Sequence, residues 1–173
     1  MNEVILVNHN DEAIGVMEKM EAHEKAILHR AFSVFIFNDK GKMLLHQRAT
    51  GKYHSGGLWT NACCSHPSPG EEIEKAAHER LMFEMGFDTE LVSAFSFIYK
   101  TEFDNGLKEH EFDHVLIGKY TGPVNPNADE VLSFDFFYLN EIQQQIASDP
   151  QKFTSWFKIA FPKLVEYIVV HPV

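Results

Sequence analysis

The stretch HRAFSVFIF, residues 29–37, decides the architecture that the sequence predicts. It is rich in aromatic and β-branched residues and is typical of a central strand. On its N-terminal side, residues 4–7 and 13–17 favour a short hairpin. On its C-terminal side, a turn at residues 38–41 leads into a return strand at residues 43–48. The stretch therefore predicts the middle of a β-sheet.

The rest of the chain alternates between further strand patterns and helix patterns. Helical segments are predicted at residues 18–26 (weakly), 71–85, 141–147 and 154–170, and further strands at residues 58–61, 91–100, 108–120 and 130–139. Gly86 is placed to end the second helix, Asp104-Asn105-Gly106 is a strong hairpin signal, and Pro162 predicts a kink or restart. The expected fold class is α/β (α+β mixed), a single domain over residues 1–173 with a mixed β-sheet sandwiched by helices.

Composition excludes several classes of protein. The chain has 173 residues, 45% of them hydrophobic, which suits one domain with a sizeable core and argues against disorder. A net charge of −10 argues against nucleic acid as a partner, although a local cluster of cations could still hold a small anionic substrate. No apolar run predicts a membrane span, and the two cysteines are adjacent, so reduced thiols in a cytoplasmic protein are expected. No obligatory protein partner is evident.

Two glutamates, Glu109 and Glu111, share one face of a predicted strand because side chains alternate along it. Two carboxylates on one face repel each other, and burial raises their pKa values unless a cation lies between them. The alternative is a solvated strand edge, which Asp113 in the same register supports and which two glutamates alone would favour. Together with nearby histidines and a cysteine, a metal site becomes the better interpretation.

Histidines His23, His29 and His66 lie on separate segments that could converge on one site. His23 and His29 are six residues apart and cannot share one helical face, so one of them is expected on a loop. Three imidazoles with two carboxylates form a mixed nitrogen and oxygen set, which suits an octahedral Mn²⁺, Mg²⁺ or Zn²⁺ ion. The other histidines are interpreted as surface or packing residues: His9, His46, His54, His78 and His171.

The spacing of two residues places Cys64 on the same side as His66 and turns Cys63 away, as a small buried hydrophobe. A thiol beside a metal site and cations could have a lowered pKa and act as an acid or base. Four cations lie on separate segments and could form an anion pocket, although each alone is more often a solvated residue. They are Lys19, Arg48, Lys52 and Arg80.

Four motifs occur in order along the chain. They are His29-Arg30-Ala31-Phe32-Ser33, then Trp59-Thr60-Asn61 leading to Cys64-Ser65-His66-Pro67, then Glu84-Met85-Gly86, and finally Glu109-x-Glu111. This series closely resembles type 1 isopentenyl diphosphate isomerase, a diverged family of the Nudix fold, and the resemblance covers about residues 4–156. The resemblance implies a Nudix-like mixed sheet.

The resemblance also implies an activity, the interconversion of isopentenyl and dimethylallyl diphosphate, and a set of site residues. The implied metal ligands are His23, His29, His66, Glu109 and Glu111, and Glu84 would bind a Mg²⁺ ion that accompanies the substrate diphosphate. Cys64 and Glu111 would be the catalytic pair on opposite faces of the substrate, with Tyr99 bonded to the glutamate and Trp156 facing the cationic centre. Lys19, Arg48, Lys52 and Arg80 resemble the diphosphate contacts. The implied partner is a small prenyl diphosphate.

Some positions depart from the wider Nudix pattern. Arg80-x-x-x-Glu84-x-Gly86 is present, but position 83 is Phe and the consecutive glutamates of the hydrolysis signature are missing. This favours an isomerase over the second hypothesis, a Nudix-type diphosphate hydrolase. The spacing from His23 to His29 is short for the family, and Gly56-Gly57 replaces the usual Pro-Gly. A third hypothesis, a non-catalytic metal or redox sensor, leaves Tyr99 and the cations without a role.

Overall fold

The structure is a computed structural model that describes residues 3–52, 54–103 and 105–173. The strands are β1 (Glu3–Val7), β2 (Ala13–Glu18), β3 (His29–Phe37), β4 (Met43–Arg48), β5 (Trp59–Thr60), β6 (Cys63–Ser65), β7 (Leu91–Glu102), β8 (Lys108–Lys119) and β9 (Val131–Phe137). The helices are α1 (Lys19–Lys25), α2 (Ile73–Met85), α3 (Leu139–Ser148) and α4 (Ser155–Val170), and a 3₁₀ turn covers Pro150–Lys152.

Strand β3 is the centre of the sheet, as the sequence predicts. One edge pairs in parallel with β8 along its whole length, from His29 opposite Glu111 to Phe37 opposite Lys119. The other edge meets β1 at His29, then β6, then β4 at Phe37. The remaining strands extend this arrangement, because β2 pairs with β1, β7 with β8, and β5 and β9 with β4. The mixed sheet of the predicted fold class is confirmed.

Alternation along β3 divides the interior into two cores. Phe35 and Phe37 belong to one core, which helices α3 and α4 cover with side chains that include Ile142 and Phe157. Phe32, Val34 and Ile36 belong to the other core, which helix α2 covers. Burial of one such side chain contributes roughly 1.5–3 kcal/mol, so a sheet that is apolar on both faces requires helices on both sides. The predicted sandwich of helices is confirmed.

The sequence predicts a strand at residues 58–61, whereas the structure has the short strand β5 (Trp59–Thr60) and then, after an interruption of two residues, strand β6 (Cys63–Ser65). Strand β5 pairs with β4, whereas β6 pairs with β3, so the chain changes neighbours at Asn61 and Ala62. The Asn61 side-chain amide donates to the backbone carbonyls of Val34, at 3.1 Å, and Cys63, at 2.9 Å. A buried side chain thus supplies the hydrogen bonds that the interrupted ladder lacks.

Two further expectations are resolved in the second half of the chain. Helix α4 continues through Pro162 without a restart, and this proline lies at the exposed surface of the helix. Strands β7 and β8 form the predicted hairpin, and Gly106 adopts a φ of 83° at its turn. Asp104, which the sequence also places in this turn, lies outside the described residues. No helix in the described ranges is long and apolar enough to cross a membrane.

Candidate active site

The site is the polar end of a sheet face whose other end is a hydrophobic core. On one face of β3, His29, Ala31 and Ser33 are followed by Phe35 and Phe37, which belong to the core under α3 and α4. The residues between them, such as Phe32 and Val34, face the core under α2. Along β8, the acidic positions 109, 111 and 113 likewise continue into apolar positions 115 and 117. Because β3 and β8 are paired in register, their polar ends lie side by side.

Three histidines converge at this polar end. His23 comes from helix α1, His29 from the start of β3, and His66 from the residue after β6. Ring centroids are 4.9 Å apart for His23 and His29, 4.9 Å for His29 and His66, and 5.6 Å for His23 and His66. One ligand atom from each histidine and one from Glu111 all lie within 4.8 Å of one another. The sequence indicated this convergence from separate segments, but the expectation that either His23 or His29 lies on a loop is wrong, because one lies in a helix and the other in a strand.

The hydrogen bonds of these histidines fit a metal ion. Nδ1 of His23 lies 2.7 Å from the Lys19 carbonyl, and Nδ1 of His29 lies 2.8 Å from the Ile27 carbonyl. A carbonyl only accepts, so each Nδ1 carries a proton, and in the neutral form of either ring Nε2 presents a lone pair. Nε2 of His29 is 3.2 Å from Nε2 of His66, and Nε2 of His23 is buried without a hydrogen-bond partner among the described residues. Converging lone pairs of this kind suit metal coordination.

Glu109 and Glu111 are linked by Tyr99. The Tyr99 hydroxyl lies 2.9 Å from Oε2 of Glu109 and 2.7 Å from Oε2 of Glu111. Burial and the charge of Glu111 raise the pKa of Glu109 well above its usual value. Burial opposes ionisation of Glu111 as well, but the imidazoles of His29 and His66 outweigh it and hold its pKa well below the usual range. Of the two carboxyl groups, Glu109 therefore favours its neutral form and Glu111 its charged form.

Glu109 lies beside the group of four residues formed by His23, His29, His66 and Glu111 and is not part of it. Its Oε1 lies 3.7 Å from Nε2 of His54, whereas Oε1 of Glu111 lies 3.0 Å from Nε2 of His66. The solvated strand edge that the sequence left open is wrong. Glu109, Glu111 and Asp113 are 5%, 6% and 2% exposed. Other parts of the chain cover these three side chains, and the residue pattern of one strand does not show such a cover.

The two adjacent cysteines face opposite sides of the sheet. Cys63 is fully buried in the core under α2, as the sequence predicts, and Cys64 faces the polar site. The Sγ atom of Cys64 lies 3.2 Å from Oδ1 of Asn61 and 3.4 Å from Oγ of Ser33. Burial raises the pKa of Cys64, which therefore rests as a protonated thiol in this structure. The lowered pKa expected for a thiol beside a bound metal ion and cations stays a prediction.

A cleft of about 610 Å³ connects these groups to four cations. Its lining includes Lys19, Arg48, Lys52, Arg80, Glu84, Tyr99, Trp156, Cys64, His66, Glu109 and Glu111. Glu130, just before β9, accepts hydrogen bonds from Lys52 and, at 2.8 Å, from Arg80. Arg80 also pairs with the buried Glu84 of the same helix. In an acidic chain, this cleft gathers the positive charge that an anionic ligand requires.

Two residues of the site were not identified from the sequence. His54 was interpreted as a surface or packing residue, but it lines the cleft. Its ring stacks on that of Phe103, with the centroids 4.4 Å apart, and packs edge to face with Trp156, with the centroids 5.6 Å apart. Glu130 holds two of the cations. Neither follows from a local pattern, because each depends on a contact with a distant segment. The sequence offers one signal for His54, which is that it lies two residues after Lys52, a residue of the predicted anion pocket.

His46 on β4 predicts a pH-dependent stability. Burial and the charge of Arg48 lower the pKa of its imidazole to about 3, against about 6.5 in an unfolded chain. Below pH 6.5, the His46 imidazole binds a proton in the unfolded chain but stays neutral in the folded chain. The free energy of unfolding should therefore decrease by about 1.4 kcal/mol per pH unit toward pH 3. Urea denaturation of His46→Gln, whose side chain does not titrate, should show a slope shallower by this amount. Equal slopes in both proteins would contradict the assignment.

Comparison with known proteins agrees with this architecture. The NUDIX domain family matches residues 27–157. Among solved structures, the MutT protein from Methanosarcina mazei has a TM-score of 0.66 at 15% identity, covering 84% of this chain and 96% of that one. The Escherichia coli dihydroneopterin triphosphate pyrophosphohydrolase has a TM-score of 0.55 at 15% identity, covering 77% of this chain and 92% of that one. At these identities the likeness shows the fold alone.

Two curated relatives are much more similar in sequence. A protein of Pectobacterium atrosepticum named isopentenyl-diphosphate Delta-isomerase is 49% identical, covering 96% of this chain and 93% of its own length. A protein of Aromatoleum aromaticum named isopentenyl-diphosphate Delta-isomerase 2 is 44% identical, covering 95% of this chain and 87% of its own length. The chain belongs to the NUDIX domain family and, within that family, to the isopentenyl-diphosphate Delta-isomerases.

Proposed function

We propose that this chain interconverts isopentenyl and dimethylallyl diphosphate by adding a proton at one carbon and removing a proton from another. The observation that carries the proposal is the placement of two proton-transfer groups in one cleft. Cys64 lies on β6 and Glu111 on β8, and these strands flank β3 on opposite edges. A thiol and a carboxylate held on either side of one strand can act on two faces of a small substrate.

The cations give the substrate its orientation. Lys19, Arg48, Lys52 and Arg80 line the cleft and would bind the diphosphate, as guanidinium and ammonium groups bind phosphate oxygens. Burial raises the pKa of Glu84, although Arg80 beside it favours the charged form. A Mg²⁺ ion accompanying the diphosphate would give this carboxylate a second cationic partner. The prenyl chain would then extend toward Cys64 and Glu111.

The aromatic wall matches the charge that forms during the reaction. Protonation of the double bond places positive charge on a tertiary carbon, and an indole face stabilises such a cation by about 2 kcal/mol when water is excluded. Trp156 is 5% exposed and lines the cleft beside His54. The same wall keeps water from adding to the cation. Trp156 and the surrounding apolar side chains therefore serve both stabilisation and protection.

The histidine cluster would hold a divalent metal through His23, His29, His66 and Glu111, and the family resemblance adds Glu109 as a fifth ligand. Such an ion would offset the repulsion between the two glutamates and make the Glu111 carboxyl a stronger acid. Tyr99 contributes from the protein side, because its hydroxyl holds Glu111 in a fixed orientation. Whether Mn²⁺, Mg²⁺ or Zn²⁺ occupies the site is a matter for metal analysis.

A diphosphate hydrolase is the second candidate, since the structural neighbours include hydrolases. The helix that would carry the hydrolytic carboxylates does not provide them. Glu84 is the residue of α2 that lines the cleft together with Arg80, and Phe83 is 53% exposed under the Arg80 guanidinium. Of the three glutamates on α2, which are Glu74, Glu79 and Glu84, only Glu84 lines the cleft, so this helix does not provide the cluster of carboxylates that would activate a water molecule.

Incubation with isopentenyl diphosphate and Mg²⁺ tests the proposed function. The expected product is an acid-labile allylic diphosphate, formed without release of phosphate or pyrophosphate. The accumulation of inorganic phosphate or pyrophosphate would instead support the hydrolase. Metal binding without turnover of this substrate would support the non-catalytic sensor.

The purified protein is expected to retain about one tightly bound divalent metal per chain, as the ligand set suggests. Removing the His23 ligand with His23→Ala should lower both metal content and activity, because His23 is buried at the centre of the cluster. His78→Ala is the matched control, since His78 is paired with Asp88 at the surface. Elemental analysis that finds no metal in active protein would rule out this site.

A further inference from the structure

Asp113 is a buried acid to which the proposed reaction assigns no role. It lies two residues beyond Glu111 on the same face of β8 and is 2% exposed. Its Oδ2 lies 2.7 Å from Oγ of Ser33, and its Oδ1 has no hydrogen-bond partner among the described residues. A buried carboxyl with one partner destabilises the fold, so its presence calls for an explanation.

Ser33 connects this acid to the proposed catalytic thiol. On β3 it pairs in register with Cys64 of β6, and its Oγ lies 3.4 Å from the Cys64 sulfur. Ser33 is 3% exposed and lines the same cleft as Cys64. The three side chains therefore form a continuous line from Asp113 through Ser33 to the sulfur.

Asn61, the other polar neighbour of the sulfur, can serve only the protonated thiol. Its Nδ2 donates to the carbonyls of Val34 and Cys63, which fixes the amide orientation and turns Oδ1 toward Cys64 at 3.2 Å. An amide oxygen accepts a hydrogen bond from S–H but repels a thiolate. Once the sulfur has lost its proton, a donor must come from another direction.

We propose that Ser33 is a further catalytic residue, whose hydroxyl hydrogen-bonds to the Cys64 sulfur in its thiolate state, and that Asp113 is the positioning residue that orients Ser33. In the thiol state, Cys64 donates to Asn61 and Ser33 donates to Asp113. In the direction in which Glu111 gives a proton to the double bond, the Cys64 thiolate takes a proton from the substrate, and the electron pair of the broken C–H bond forms the new double bond. In the opposite direction the S–H bond breaks, the electron pair stays on sulfur, the proton goes to the substrate carbon, and Glu111 takes up the other proton. The Ser33 hydroxyl then rotates toward the sulfur without breaking its O–H bond. Return of a proton to sulfur reverses the rotation.

The position of Asp113 suits this role. Its backbone pairs with Ala31 in the parallel ladder between β3 and β8, so its side chain lies on the same face as Ser33, two residues further along β3. Its Oδ2 is the hydrogen-bond partner of the Ser33 hydroxyl, at 2.7 Å, on the side away from the sulfur. This contact holds Ser33 next to Cys64.

This inference rests on the proposed function, and two independent readouts test it. In the first, Ser33→Ala should lower kcat about 10-fold or more with KM within about twofold, the usual effect of losing a hydrogen bond to a charged group. Asp113→Ala, which removes the carboxyl group that orients Ser33, should lower kcat by a smaller factor, and Ser33→Thr should restore part of the Ser33→Ala loss. Ser133→Ala is the matched control, because Ser133 bonds Gln47 on another part of the sheet.

The second readout does not require turnover. The rate at which iodoacetamide alkylates Cys64 at fixed pH, measured by peptide mapping, should fall in Ser33→Ala, recover in part in Ser33→Thr and stay unchanged in Ser133→Ala. An alkylation rate of Ser33→Ala equal to that of the wild type, or a kcat loss no larger than in the control, would overturn the inference. If Ser33→Ala does not fold, Ser33→Gly replaces it in both measurements. A wild-type protein without isomerase activity would refute the proposed function, while the alkylation rates would still decide the role of Ser33.

Discussion

Cys64→Ala is expected to abolish measurable turnover, whereas Cys63→Ala should retain most of it. The two cysteines are neighbours in sequence but face different environments. Cys64 lines the cleft, and Cys63 is buried in the core under α2. Loss of a general acid–base group typically lowers the rate by 10²–10⁴-fold. Loss of one small buried side chain should instead lower stability, by roughly 1 kcal/mol.

The comparison is made on initial rates with saturating isopentenyl diphosphate, together with thermal unfolding of both variants. Cys64→Ser is a useful companion, because a hydroxyl keeps the size of the side chain but is a far weaker acid than a thiol. The assignment of the catalytic face fails if both alanine variants lose activity to the same extent. It also fails if Cys63→Ala is inactive while its thermal stability is unchanged.

Glu111→Gln should reduce turnover by about 10²-fold or more, because an amide cannot exchange a proton with the substrate. Its substrate affinity should remain close to that of the wild type, since the cations that would bind the diphosphate lie elsewhere in the cleft. Glu109→Gln should behave differently. This residue would contribute to metal retention and not to proton transfer, so excess metal should partly restore its activity.

Turnover and substrate affinity of both glutamine variants are to be measured across a metal titration. Tyr99→Phe provides a third point, because it removes the hydroxyl that links the two carboxyl groups. Full recovery of Glu111→Gln by added metal would mean that Glu111 acts as a ligand only. The proton-transfer group on that side would then have to be another residue.

The sequence predicts the strands of this fold well because their patterns are local. Residues 29–37 appear as one strand with the predicted bounds, and the hairpin of β7 and β8 follows its turn signal. The alternation rule also separates Cys63 from Cys64 correctly, because neighbouring residues of a strand face opposite sides. These predictions depend only on short-range geometry, which the sequence contains.

The same reasoning does not predict contacts between segments that are far apart in the sequence. The burial of Asp113 and its bond to Ser33 depend on the pairing of β3 with β8, 80 residues further along the chain. The interruption at Asn61 arises because the chain changes neighbouring strands there. The contacts of His54 with Phe103 and Trp156 depend on three segments that meet at the cleft. A pattern within one segment carries no information on such meetings.

The candidate metal cluster lies between these two cases. Its residue types indicate a mixed nitrogen and oxygen site, and the resemblance assigns the ligands, but the sequence does not show how closely they approach. The structure brings four ligand atoms within 4.8 Å and places Glu109 beside them, next to Tyr99 and His54. The chemistry of the site was thus predictable from residue types, while its arrangement required the fold.

Deuterium incorporation tests the central claim most directly. If the reaction proceeds by protonation and deprotonation, isopentenyl diphosphate converted in D₂O should give an allylic product with deuterium at the carbon that gains a proton. Mass spectrometry and ¹H NMR of the isolated product report both the amount and the position of the label. The account predicts one solvent-derived deuterium in the new methyl group after a single conversion. Formation of the allylic product without solvent deuterium would contradict it.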